Sequence, residues 1–104
     1  MGDLDLSATD LRTFERVKGE IDAFDLGMKP IPALVEAVGA LLDQFEDVPA
    51  GLVEELRQLW WPLEYTLALS RDQNRPLTDE EELAARDTVA VLTRRLRELD
   101  LPNL

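Results

Sequence analysis

Apolar residues recur at intervals of three and four in four separate stretches of the 104-residue chain, and no stretch between them alternates as a strand does. Leu11, Phe14, Val17, Ile21 and Phe24 mark the first; Thr9 or Asp10 offers an N-cap and Gly27 suits the left-handed position past the last turn, predicting a helix over 10–26. Leu34, Val35, Val38, Leu41, Leu42 and Phe45 form the second stripe. Pro32 fits a first turn and Glu46, Asp47 and Pro49 end the pattern, so this helix is placed at 32–46. Leu52, Val53, Leu56, Leu59, Trp60, Leu63 and Leu67 carry the third, over 50–70. Pro62 lies inside it, where a proline removes a backbone hydrogen bond and crowds the carbonyl of Gln58. A long helix kinked near that point is preferred to two shorter helices. The fourth, over 79–100, is carried by Ala85, Val89, Leu92, Leu96 and Leu99 and stops at Pro102. Thr78 and Glu81 before it have the spacing of a reciprocal capping box.

Short connections between amphipathic helices favour antiparallel neighbours, so the expected fold is all-α: one domain over 1–104, an up-down four-helix bundle. Met1–Ser7 and the Ser70–Arg75 connection are expected to be its least ordered segments.

Composition narrows the function more than the fold. At 45% apolar and 32% charged residues, without cysteine, a chain of this length can bury a core without disulfides. A net charge of −11 repels phosphate backbones and anionic headgroups, which argues against nucleic-acid and membrane partners. Without cysteine or histidine, thiolate and imidazole are lost as nucleophiles, bases and ligands. No catalytic residue, cofactor or metal site is expected, and the chain reads as a non-enzyme. No apolar run approaches the ~18 residues of a membrane span, and Met1–Asp5 has neither a basic nor a long apolar segment. A cytoplasmic location is therefore expected.

The residues that suggest chemistry each have a plainer explanation. Asp79, Glu80, Glu81 and Glu82 occupy a first helical turn, and Arg94, Arg95 and Arg97 the last turns, as the helix dipole favours. Glu54, Glu55 and Glu64 invite comparison with the Mg²⁺ sites of all-helical nucleotide pyrophosphatases, but Glu54 and Glu64 lie off the Leu56–Leu63 face. Ser7 and Ser70 have no histidine partner, and Lys18 and Lys29 lie beside polar or turn sequence.

Two surfaces suit a protein partner. Residues 1–47 hold eleven acids against four bases, so the first two helices carry most of the unbalanced charge. Asp22, Asp25, Glu36, Asp43, Glu46 and Asp47 are the candidates there for meeting a basic protein, unless they serve solubility alone. On the third helix Trp61, Tyr65 and Leu69 fall well over 100° from the centre of the stripe that contains Trp60. They form either a second core face or an exposed patch for a partner or a homodimer.

The spacings Phe14-x-x-Val17, Ile21-x-x-Phe24-x-x-Gly27, Ile31-x-x-Leu34-Val35-x-x-Val38-x-x-Leu41-Leu42, Trp60-x-x-Leu63-Glu64 and Leu77-Thr78-x-Glu80-Glu81 resemble small acidic helical bacterial proteins. Some of these are immunity proteins of polymorphic toxin systems. Pro62 departs from the helix-forming residue expected between Trp60 and Leu63. The resemblance implies stoichiometric neutralisation of a toxin domain with no catalysis by this chain, and the acidic first two helices would make that domain a basic one. A structural or assembly subunit that self-associates through the third helix is the alternative.

Overall fold

The computed structural model describes residues 6–99 and 101. Four helices, α1 (Ala8–Asp25), α2 (Ile31–Leu42), α3 (Ala50–Asp72) and α4 (Asp79–Glu98), follow one another with no strand among the described residues. Each packs on the next and α4 returns to α1, making an antiparallel four-helix bundle. Along the α2–α3 seam Asp43 pairs with Arg57 and Glu36 with Arg71, the order that oppositely directed helices require.

The core is the sum of the four stripes. Phe14, Val17, Leu34, Val38, Leu56, Trp60, Val89 and Leu92 are all buried, as are most of their neighbours at three- and four-residue spacing. Trp60 is the largest of them, and its indole Nε1 donates to the Val35 carbonyl at 3.2 Å, so its one polar atom is satisfied inside the core.

Helix ends follow local chemistry. Gly27, at φ 75°, closes α1: its N–H reaches the Phe24 carbonyl and that of Met28 the Ala23 carbonyl, the two bonds of a Schellman turn. Asn74, at φ 52°, does the same for α3. Helix α3 runs unbroken through Pro62.

Several expectations need correction. Ser7 caps α1, not Thr9 or Asp10: its Oγ accepts from the Asp10 N–H, and the helix starts at Ala8. Helix α2 ends at Leu42, four residues early, because Phe45 leaves the helix to set its ring 4.5 Å from that of Phe14. Helix α3 extends to Asp72, and the Ser70–Arg75 connection is held: the Ser70 hydroxyl donates to the Leu67 carbonyl, and Arg75 binds Gln73, the Pro76 carbonyl and Glu81. Leu6 packs against the core. Met1–Asp5, Asp100 and the expected stop at Pro102 lie outside the described residues.

The capping box at α4 is formed. Thr78 Oγ1 accepts from the Glu81 N–H at 3.1 Å, while Glu81 Oε1 accepts from the Thr78 N–H at 2.9 Å. Thr78→Ala is expected to cost ~0.5–2 kcal/mol in a urea titration. Arg75 adds a two-pronged ion pair to the Glu81 carboxylate, at 2.7 and 3.2 Å. The Arg75 guanidinium first, and the Thr78 N–H second, hold the Glu81 carboxyl down at about 2, from an ordinary value of 4.5. A carboxyl whose folded value lies below its unfolded one adds stability above the unfolded value, and that stability fades as pH falls toward the folded value. The difference in urea midpoint between the wild type and Glu81→Gln should therefore shrink between about pH 4.5 and pH 2.

Candidate functional site

The six acidic candidates do not form one face. Asp22 is paired with Lys18 one turn away at 2.9 Å, Glu36 with Arg71 at 2.6 Å, and Asp43 with Arg57. Asp25 is exposed at the C-terminal end of α1, beside a groove floored by Ile21, Leu96 and Leu101. Glu46 and Asp47 are exposed in the α2–α3 connection at the other end of the bundle, about 22 Å away along α1. Three of the six charges are thus matched on the protein's own surface, and the rest are split between its two ends.

Glu46 and Asp47 have a structural task instead. Asp10 is fully buried, and its Oδ1 and Oδ2 accept from the backbone N–H groups of Glu46 and Asp47 at 2.8 and 2.7 Å. The connection between α2 and α3 is tied in this way to the first turn of α1. The period of the sequence offers no sign of it, because the bonds join residues 36 and 37 positions apart.

Most of the groups weighed for chemistry are held by neighbouring residues of the chain. Ser7 is a cap and Ser70 bonds its own helix. Lys18 and Lys29 pair with Asp22 and Glu20. Glu54, Glu55 and Glu64 diverge: Glu55 meets Arg95 of α4, Glu54 accepts from Gln58 one turn on, and Glu64 lies against α2. The Arg95 guanidinium holds the Glu55 carboxyl below its ordinary value. Among the described residues no three acidic side chains are grouped to hold a metal ion, and no helix is long and apolar enough to cross a membrane.

Helix α3 carries the surface that stands out. Trp61 and Tyr65 are 59% and 54% exposed, and their rings stack, with centroids 5.2 Å apart and planes at 23°. Adjacent residues on a helix point about 100° apart, so a buried Trp60 turns Trp61 outward. Leu69, the third member of the expected patch, is half-buried. Glu54, Gln58 and Glu64 share the stripe with Trp61 and line a surface cup of about 410 Å³ with it. Sequence reasoning placed Glu54 and Glu64 off the core face without joining them to Trp61, although the spacing 54, 58, 61, 65 is that of one helical face.

On the α2 side of this stripe, three α3 side chains sit seven residues apart, about two helical turns. Arg57 and Arg71 are met by Asp43 and Glu36. Glu64, between them, faces Gly39, where a Cβ would come within 2.8 Å of its Oε2.

No protein-family model, curated protein or solved structure matches the chain.

Proposed function

We propose that this protein is a non-catalytic binding module for another protein, with Trp61 and Tyr65 of α3 at the centre of the contact. The stacked, solvent-facing pair carries this reading: tryptophan and tyrosine dominate binding hot spots, and here they lie on a rigid helix whose core is already filled by Trp60. The net charge of −11 favours a basic partner and hastens its approach. A bacterial immunity protein acting in the cytoplasm, which blocks a basic toxin domain by one-to-one binding, is the form suggested by the helix-core resemblance. The absence of histidine and cysteine supports a role without catalysis.

The test begins with affinity capture from the source cells, followed by titration of the purified partner against wild type and Trp61→Ala. A one-to-one complex weakened by ~1–3 kcal/mol in the variant is expected. An affinity unchanged by Trp61→Ala overturns the proposal. Sedimentation of the isolated chain decides between a foreign partner and a second copy: a concentration-dependent dimer abolished by Trp61→Ala would make this an assembly subunit.

A further inference from the structure

The charges around Trp61 specify what a partner must bring. Arg57 lines the same cup but is engaged by Asp43 across the α2–α3 seam. Glu64 has a glycine opposite where its neighbours along the seam have carboxylates, and among the described residues neither it nor Glu54 lies within ion-pair distance of a cation. An exposed indole and two carboxylates that have no ion-pair partner among the described residues thus line one cup. A planar cation fits this surroundings best: it stacks on an indole face, and its N–H groups donate to carboxylates at the edge of the ring. Guanidinium meets both demands at once, whereas ammonium is compact and strongly hydrated and cannot stack.

We propose that Trp61, Glu64 and Glu54 form a receptor for an arginine side chain of the partner protein. This rests on the protein-binding reading of the same helix and adds the chemistry of the group recognised. Tyr65 backs the indole, holding its plane by stacking, and Gln58 fixes Glu54 by donating to its Oε1 at 3.0 Å. The guanidinium lies over the open face of Trp61 with Glu64 on the α2 side, and Gly39 leaves room for the Glu64 carboxylate there.

The probe is an acetylated, amidated Gly-Arg-Gly peptide, titrated into the isotopically labelled full chain, and the readout is the indole N–H resonances of the two tryptophans. Trp60 is an internal control, since its N–H is bonded to Val35 inside the core. Trp61→Phe assigns the signals. The expected result is a saturable shift of the Trp61 resonance with Trp60 unmoved, weakened about tenfold by Glu64→Gln, a loss of about 1.4 kcal/mol. Glu36→Gln, which removes an acid outside the cup, should leave the titration unchanged. The citrulline peptide, which keeps the shape and loses the charge, should not shift Trp61. No shift with the arginine peptide, an equal shift with citrulline, or equal weakening by Glu36→Gln overturns the receptor. A natural complex weakened by Trp61→Ala but untouched by Glu64→Gln would also overturn it while leaving the binding surface standing; one untouched by either overturns both.

Discussion

Asp10→Ala should destabilise the protein by about 3 kcal/mol, more than a helix cap is worth. The carboxylate is fully buried and accepts two backbone N–H groups from the α2–α3 connection. A hydrogen bond to a charged acceptor contributes roughly 1.5–3 kcal/mol, and truncation removes the acceptor of both donors at once. Asp10→Asn keeps the volume but turns an NH₂ toward one of those donors, so it should lose most of the same stability. Urea titration measures the cost, and amide exchange locates it: the N–H groups of Glu46 and Asp47 should lose protection in both variants while the α3 interior keeps its own. A cost of only about 1 kcal/mol, with the two amides still protected, would show that the connection is held by Phe45 on Phe14 instead.

Trp60→Ala is expected to cost ~3–5 kcal/mol, and Trp61→Ala within about 0.5 kcal/mol of nothing. The two residues are neighbours in sequence and identical in chemistry, so the contrast measures their surroundings in the fold. Trp60 is fully buried beneath α2, whereas Trp61 touches Tyr65 on one side and solvent on the other. Trp60→Phe should fall between, at about 1–2 kcal/mol, because it retains most of the apolar volume and gives up the bond to Val35. Thermal unfolding of the three variants checks the order. A Trp61→Ala loss comparable with that of Trp60→Ala would place Trp61 in the core and remove the basis for a contact surface there.

Much of this protein could be read without its structure, because the deciding information is local and repeated. A helix presents one face every three to four residues, so each of the four stripes states its own burial many times over. The capping box needs only Thr78 and Glu81, three positions apart. The outward turn of Trp61 follows from its being next to Trp60 once either is assigned to the core. What the sequence could not decide were partnerships across the bundle. Asp10 looks like a cap, since an aspartate near a helix start usually is one, yet it binds a connection 36 positions away, and Ser7 caps in its place. Phe45 continues the stripe of α2 but lies beyond the helix end, where its ring packs 4.5 Å from that of Phe14 on another helix. The acids of α1 and α2 looked like one negative surface. Packing matched Glu36 and Asp43 to arginines of α3 and left Glu64 facing a glycine. An ion pair depends on which side chain of another helix arrives within a few ångströms, and that register is set by how the cores interlock, which spacing along a single helix does not record.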